Sequence, residues 1–293
     1  MRFIRTKAAV AGIGLALSMA ACGDDDNGAD VEVVESPEFE AGTTMAEIAD
    51  AGTVTVGTKF DQPGFGLQNL EGVPEGFDVE VAKIIAAELG IAEEDIEWRE
   101  SPSDIREQVI EDGEVDYVVA TYTINEERAQ RITFAGPYYN AGQMLMVAED
   151  NDTITSPDDL AGNPDSKVCS VTGSTPSENI KEYLASDDQL VLFDVYDKCA
   201  AALSNGQVDV VTTDNVILAG FVDESDGAFK LVGEQFTEEP YGIGITKGDV
   251  AFCEFINETL AANEDAYLTA WEETAGQVEG SETPELPEPD PCV

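Results

Sequence analysis

The chain has 293 residues, with 14 lysines and arginines, 61 aspartates and glutamates and no histidine, which gives a formal net charge of −47. Nucleic acids and anionic membrane surfaces would repel so acidic a chain, so neither is an expected partner. Without histidine the chain lacks the most frequent general base and a common metal ligand, which disfavours hydrolase and zinc-enzyme functions. The acidic residues are spread along the whole sequence, which is typical of a protein that works in high salt.

The N-terminus has the organisation of an export signal. Three basic residues precede an apolar run over residues 8–19, which is too short to span a bilayer. The four residues that end at Cys22, Met-Ala-Ala-Cys, resemble a bacterial lipobox. We predict a lipoprotein signal peptide over residues 1–22, lipidation of Cys22 and anchoring to the outer face of the cell membrane; ordinary secretion with a free Cys22 is the alternative. The acidic residues 23–42 predict a flexible tether.

Export also bears on the four remaining cysteines, Cys169, Cys199, Cys253 and Cys292. Outside the cell an even number of cysteines indicates two disulfides, and three pairings are open. We favour Cys169–Cys199, because both would lie in one domain, and Cys253–Cys292, which would pin the Pro/Glu-rich tail 278–293 to the body. A metal site is disfavoured, because the chain has no Cys-x-x-Cys spacing and no histidine.

In chain order, short β-branched runs alternate with amphipathic helical patterns. The first half predicts a strand at 53–57, helices at 78–89 and 105–110, and a strand at 115–119. The second half predicts helix starts at 156 and 175, the latter with a Thr-x-x-Glu capping box, strands at 167–171, 208–212 and 241–245, and closing helices at 253–260 and 266–271. This alternation predicts an α/β protein with mostly parallel sheets in two lobes.

Polar residues follow the strand at 115–119. Thr121 and Thr123 lie two residues apart, and Arg128 follows about one helical turn later. Hydroxyl groups at a strand end together with a guanidinium can hold a carboxylate by two parallel hydrogen bonds. The alternative for Arg128 is a surface ion pair with Glu126 or Glu127.

The chain resembles the extracellular solute-binding proteins of polar-amino-acid ABC importers, within their glutamate-binding branch. The matching segments, in order, are GTKFDQPG at 57–64, GFDV at 76–79, ATYTINEER at 120–128, FAGPYY at 134–139, GSTP at 173–176 and TD at 213–214. The resemblance implies a periplasmic-binding-protein-like fold, with two α/β lobes and a hinge formed by two crossovers. Lobe 1 would comprise 43–141 plus 243–277, and lobe 2 would comprise 142–242.

The resemblance also implies roles for the residues that would bind the ligand's α-carbon groups. Arg128, helped by Thr123, would hold the α-carboxylate, and Thr121 would lie near the α-amine. Ser174 and Thr175 would contribute from lobe 2, although Thr175 could instead cap its own helix. Asp214 would bind the ammonium group; its alternative role is the N-cap of a helix over residues 215–221.

Lys59 distinguishes this chain from relatives that bind basic amino acids, which have an acidic residue there. A lysine favours an acidic ligand side chain. Ser103 and Arg106 match the Ser-x-x-Arg of acidic-amino-acid binders and would meet the distal carboxylate together with Lys59. The alternative for Arg106 is an ion pair on its own helix. Tyr196 would add a polar contact from lobe 2, or belong to the core.

The expected function is capture of L-glutamate outside the cell, with aspartate or glutamine as alternatives, and delivery to the permease subunits of an ABC importer. We expect a monomer that is not an enzyme and needs no cofactor or metal. The competing hypotheses are a dehydratase-type enzyme on the same fold and a ligand-sensing ectodomain.

Overall fold

A computed structural model describes residues 31–293. The predicted signal peptide 1–22, its Cys22 and the beginning of the predicted tether lie outside the described residues. Residues 31–42 were predicted to belong to a flexible tether, but in the structure they lie against the folded part of the protein. The Val34 N–H donates to the Ala87 carbonyl at 3.0 Å, and the Phe39 ring meets the Phe255 ring edge-on at 5.5 Å. Apolar side chains among the acidic ones thus fasten this segment to the protein.

The elements follow one another in this order along the chain: α1 (Thr44–Ala51), β1 (Val54–Thr58), β2 (Asp61–Gln62), β3 (Gly66–Gln68), β4 (Pro74–Glu75), α2 (Phe77–Glu88), β5 (Ile96–Glu100), α3 (Arg106–Glu111), β6 (Tyr117–Val118), α4 (Glu126–Ala129), β7 (Thr133–Ala141), β8 (Gln143–Ala148), β9 (Val168–Val171), α5 (Thr175–Asn179), β10 (Leu190–Phe193), α6 (Tyr196–Ser204), β11 (Val210–Asp214), α7 (Asn215–Asp223), β12 (Phe229–Val232), β13 (Glu239–Ile245), α8 (Val250–Ala262) and α9 (Glu264–Glu273).

Lobe 1 contains a five-stranded sheet in the order β5-β1-β6-β13-β7. β1 is parallel to both β5 and β6, whereas β13 runs antiparallel between β6 and β7. One face is covered by a core to which α2, α8 and α9 contribute, and α3 covers the other. Because β1 and β6 are parallel, the segments that follow them, Lys59 and residues 120–123, emerge at the same edge of the sheet. A small sheet, β2-β3-β4, follows β1.

Lobe 2 contains a second five-stranded sheet, in the order β10-β9-β11-β8-β12. β9 is parallel to β10 and β11, and β8 is antiparallel to β11 and β12. The parallel strands β9 and β11 end beside each other, so Ser174 and Asp214 come together. The mixed α/β sheets of the two lobes agree with the predicted fold class. The prediction of mostly parallel sheets is wrong, because four of the eight strand pairings in these two sheets are antiparallel.

Two crossovers connect the lobes, one between β7 and β8 and the other between β12 and β13. A Cβ atom on Gly142 would lie 2.6 Å from Oε1 of Gln235 and 2.7 Å from the carbonyl oxygen of Thr237, so only glycine allows the crossovers to approach so closely. β13 begins at Glu239, and residues 239–242 therefore lie in the first sheet, whereas the sequence analysis assigned them to lobe 2.

Both favoured disulfides are present. Cys169 of β9 is bonded to Cys199 of α6, and Cys253 of α8 is bonded to Cys292 in the tail. The end of the tail runs along β7, an edge strand of the first sheet. The Asp290 N–H donates to the Gly136 carbonyl at 2.7 Å, and the Thr133 hydroxyl donates to the Val293 carbonyl at 3.3 Å.

Within residues 31–293 no helix combines the length and the apolar character needed to cross a membrane.

Candidate functional site

The predicted site residues converge between the two lobes. Eight of the ten line one small cavity of about 10 Å³. These eight are Ser103, Arg106, Thr121, Thr123, Ser174, Thr175, Tyr196 and Asp214. Pro176, Thr213 and Ile217, which the sequence analysis did not single out, complete its wall. Residues of both sheets thus form one polar enclosure, at the ends of the parallel strands.

The other two predicted residues lie just outside this cavity. Lys59 is only 2% exposed and its Nζ donates to the Ser103 hydroxyl at 2.9 Å, so it reaches the cavity wall through Ser103. Arg128 lines an adjoining, wider cavity of about 390 Å³ between the lobes. Ser103, Ser174 and Thr175 border both cavities.

Thr121 has an unusual backbone conformation. Its φ is +45°, in the left-handed region that β-branched residues rarely occupy. Asp78 holds this conformation from α2, because its Oδ2 accepts the Thr121 N–H at 2.7 Å. The Thr121 hydroxyl lies 3.0 Å from Oε1 of Gln62. Such strain persists only where surrounding contacts determine the backbone, and it is concentrated at functional sites.

Asp78 supports the site through Thr121, although its sequence context predicted no such role. It is fully buried and accepts a second hydrogen bond from the Tyr138 hydroxyl at 2.6 Å. Burial raises the pKa of Asp78 to about 7. Its segment, residues 76–79, carried part of the family resemblance, but only the fold reveals that its carboxylate supports Thr121.

Arg106 is 2% exposed, and its hydrogen bonds go to backbone carbonyls. Nη1 donates to the Ala120 and Thr121 carbonyls at 2.7 and 3.3 Å, and the guanidinium carbon lies 4.0 Å from the centre of the Tyr122 ring. Its buried Nε has no hydrogen-bond partner. The alternative role, an ion pair on its own helix, is wrong, because among the described residues no carboxylate lies within 4.0 Å of the guanidinium.

Lys59, like Arg106, is a buried cation. Within the described part of the chain it forms no ion pair, and its ammonium group is buried. Burial, followed by repulsion from Arg106, lowers the pKa of Lys59 to about 7, although Asp61 nearby acts in the opposite direction. Lys59 and Arg106 therefore form a buried cationic pair at one end of the site.

Arg128 is held by acceptors from both lobes. Its Nη1 donates to the Thr123 carbonyl at 2.7 Å and its Nη2 to the Gly173 carbonyl at 3.0 Å. Nε lies 3.2 Å from Oε1 of Glu107, so the ion pair is buried and does not involve Glu126 or Glu127. Because each terminal nitrogen carries two N–H groups, each retains one for a further acceptor. Burial lowers the pKa of Arg128 to about 10, so it stays charged at neutral pH.

Ser174 and Thr175 have different roles from those that the capping-box pattern predicted. Ser174 is the N-cap of α5, since its hydroxyl accepts the Ser177 N–H at 3.1 Å. Thr175 is the first helical residue, and its hydroxyl donates to Oε2 of Glu239, across the lobe boundary, at 2.6 Å. Glu239 is 1% exposed and also accepts from Asn179 at 3.1 Å. The sequence offered no indication of this role of Glu239, because its partners in lobe 2, Thr175 and Asn179, lie 64 and 60 residues away along the chain.

Asp214 ends β11 with one carboxylate oxygen unengaged. Oδ2 accepts a hydrogen bond from the Tyr241 hydroxyl at 2.6 Å, whereas the buried Oδ1 has no partner. The backbone of Asp214 occupies the N-cap position of α7, but its side chain makes no capping hydrogen bond, so that alternative role is wrong for the carboxylate. Burial and the nearby Glu239 raise the pKa of Asp214 to about 7. An unengaged buried carboxylate oxygen suits an ammonium group.

In residues 31–293 no group of three or more His, Cys, Asp and Glu side chains is arranged to hold a metal ion.

The two-lobed fold with a small polar enclosure at the strand ends defines a class, the solute-binding proteins. The chain belongs to the bacterial extracellular solute-binding proteins, family 3, whose model matches residues 54–270. It is 41% identical over 268 residues to the glutamate-binding protein GluB of Corynebacterium efficiens, covering 88% of this chain and 85% of the relative. It is 38% identical over 243 residues to the ABC transporter glutamine-binding protein GlnH of Bacillus subtilis, covering 83% and 85%.

A similar solved structure is that of an ancestral amino-acid-binding protein described as a precursor of cyclohexadienyl dehydratase. It matches with a TM-score of 0.71 and 31% identity, over 79% of this chain and 99% of that one. The curated relatives named above are binding proteins and not enzymes, so the protein is a solute-binding protein and the dehydratase alternative is not supported.

Proposed function

We propose that the protein captures an acidic amino acid, with L-glutamate as the preferred ligand. The observation that carries this proposal is the pair of buried cations, Lys59 and Arg106, for which no described carboxylate lies within 4.0 Å. A buried charge without a counter-ion is costly, and an anionic ligand would supply the missing partner. A neutral glutamine side chain would leave both cations uncompensated.

The ligand's two α-carbon substituents would be bound at the other end of the site. The remaining N–H groups of Arg128, with the Thr123 hydroxyl and the N-terminal region of α5 at Ser174, would hold the α-carboxylate. Oδ1 of Asp214 and the Thr121 hydroxyl would accept hydrogen bonds from the ammonium group.

The distal carboxylate would lie among Lys59, Ser103 and Arg106, with Tyr196 contacting it from lobe 2. This arrangement assigns a partner to each charged group of the ligand. It also explains how a protein with a net charge of −47 could bind an anion, because local buried bonds would outweigh the repulsive long-range field.

We further propose that the protein is the substrate-binding component of an amino-acid ABC importer and delivers its ligand to the permease subunits. Relatives named as glutamate- and glutamine-binding proteins, one of them of an ABC transporter, support this role. The lipobox-like sequence ending at Cys22 supports an anchor on the outer face of the membrane. The binding unit is proposed to be a monomer, with lobes 1 and 2 closing on one ligand.

Isothermal titration calorimetry with glutamate, aspartate and glutamine, at low and high salt, tests this proposal. We expect glutamate to bind at least about tenfold more tightly than glutamine, since burial of a cation without its anion costs more than ~1.4 kcal/mol. Thermal unfolding provides an independent measure, because a ligand that binds the folded state raises the melting temperature. Tighter binding of glutamine than of glutamate would overturn the preference, and binding of none of the three would overturn the function.

A further inference from the structure

One carboxylate of lobe 1 reaches directly into the backbone of lobe 2. Asp61, in β2, is 6% exposed, and its Oδ2 accepts the Tyr196 N–H at 2.6 Å. Tyr196 is the first residue of α6, a helix of nine residues in lobe 2. The first N–H groups of a helix have no acceptor within that helix, and they attract negative charge.

The helix itself supplies no cap for this position. Val195 occupies the N-cap and has no side-chain oxygen, so no capping hydrogen bond is made from within lobe 2. The acceptor lies 135 positions away along the chain, on the opposite wall of the cleft. The start of α6 is therefore completed only when lobes 1 and 2 are together.

The lobes are in close contact beside this bond. A Cβ atom on Gly220, in α7 of lobe 2, would lie 2.5 Å from the carbonyl oxygen of Pro63, two residues after Asp61. No larger residue would fit without a shift of the Pro63 backbone. The Asp61 segment is thus a place where the two lobes meet closely, apart from the crossovers that connect them.

We propose that Asp61 is a positioning residue for ligand capture, which caps α6 across the cleft and so couples lobe closure to the distal end of the binding site. The inference rests on the proposed function and deepens it. Lys59 lies two residues before Asp61, and Tyr196 lines the cavity that Ser103 and Arg106 also line. The hydrogen bond between Asp61 and Tyr196 therefore fixes Tyr196, in the cavity wall formed by lobe 2, relative to the cations of lobe 1.

Other bonds also cross the cleft, but they act at the opposite end of the ligand site. Arg128 donates to the Gly173 carbonyl, Tyr241 donates to Asp214, and Thr175 donates to Glu239. All three involve groups around the proposed α-carboxylate and ammonium positions. Asp61 would connect the two lobes at the other end of the site, where the side chain of the ligand would lie. An acidic amino acid differs from other amino acids in that side chain.

The test compares Asp61→Ala and Asp61→Asn with the unmodified protein by hydrogen exchange of the Tyr196 amide and by calorimetry. Asp249→Ala is the matched control, since Oδ1 of Asp249 accepts the Phe252 N–H at 3.0 Å and caps α8 within a single lobe. Exchange is measured without ligand and with glutamate, aspartate or glutamine.

We expect Asp61→Ala to accelerate Tyr196 exchange about tenfold or more and to weaken binding of the tightest ligand ~10–100-fold, as for loss of a charge-assisted hydrogen bond. Asp61→Asn retains an acceptor oxygen without the charge, so its effects should be intermediate. Equal Tyr196 exchange in the unmodified protein and Asp61→Ala under every condition would overturn the inference. Equal weakening of binding by Asp249→Ala would also overturn it. If no amino acid alters the melting temperature of the unmodified protein, the proposed function fails, while the exchange comparison still decides the role of Asp61.

Discussion

Replacing Lys59 by methionine should stabilise the ligand-free protein and reduce its selectivity for glutamate over glutamine. The side chains are similar in length, but methionine carries no charge to bury. Burial lowers the pKa of Lys59 from 10.5 to about 7, so its protonated form destabilises the ligand-free protein. At ~1.4 kcal/mol for each unit of pKa, Lys59→Met should stabilise the ligand-free protein at pH 7 by up to about 4 kcal/mol.

The direction of the pH dependence follows from the lowered pKa. The destabilisation is complete below pH 7, where Lys59 is charged in both the folded and the unfolded chain. It decreases between pH 7 and 10.5, where only the unfolded chain stays protonated, and it vanishes above that range. The melting-temperature difference between Lys59→Met and the unmodified protein should therefore shrink as the pH rises from 7 towards 10.5.

Ligand binding should change in the opposite direction to stability. Removing one partner of a buried ion pair costs ~3–5 kcal/mol, so Lys59→Met should weaken glutamate binding about 100-fold or more. Glutamine would lose only a contact between its neutral side chain and Lys59, without loss of an ion pair, so its affinity should change less than about tenfold. Calorimetry with both ligands at pH 7 measures the selectivity ratio directly.

Lys230→Met is a suitable control, because Lys230 lies in lobe 2 and donates to the Glu149 carbonyl away from the cleft. It should leave affinity and selectivity unchanged. The reasoning would be refuted if Lys59→Met kept the glutamate-to-glutamine ratio of the unmodified protein, or if it lowered the stability of the ligand-free protein.

Two further predictions concern pH and the tail. Glutamate affinity should be highest near pH 7 and fall on both sides. Above pH 7 Lys59 of the ligand-free protein loses the proton that an anionic ligand requires. Below pH 7 Asp214 gains a proton that blocks ammonium binding. Calorimetry from about pH 5.5 to 9 measures this dependence, and a flat affinity profile would show that neither group faces the ligand. Cys292→Ser should lower the free energy of unfolding by ~2–4 kcal/mol without altering ligand affinity, because the Cys253–Cys292 bond closes a loop of 39 residues away from the cleft. Denaturant titration of the variant measures the first quantity, and an unchanged midpoint would contradict it.

The convergence of several candidate site residues could be predicted, because strand ends in a parallel sheet share one edge. Residues 120–123 follow β6 and Asp214 ends β11, so polar residues at the ends of apolar runs were informative. Lys59, Ser103 and Arg106 were predicted from the family resemblance instead. α2 lies within one residue of its predicted limits at both ends, since its apolar period and the glycine after it mark the helix clearly.

Contacts between distant segments could not be predicted in this way. The interactions of Asp61 and Glu239 depend on how the lobes meet, and no local pattern encodes that arrangement. The position of β13 between β6 and β7 likewise follows from the topology, which shifted the lobe boundary to Glu239. The left-handed backbone of Thr121 results from tertiary contacts that override local preference.

The C-terminal residues along β7 have a consequence for how copies of the chain behave at high concentration. An edge strand with exposed N–H and carbonyl groups is a template on which a second molecule can add a strand. Here the Asp290 N–H occupies one backbone carbonyl of β7, that of Gly136, Val293 accepts from the Thr133 side chain beside it, and the covalent link at Cys292 keeps both residues there. Residues 290–293 thereby hinder the addition of a strand from a second molecule at this edge of lobe 1.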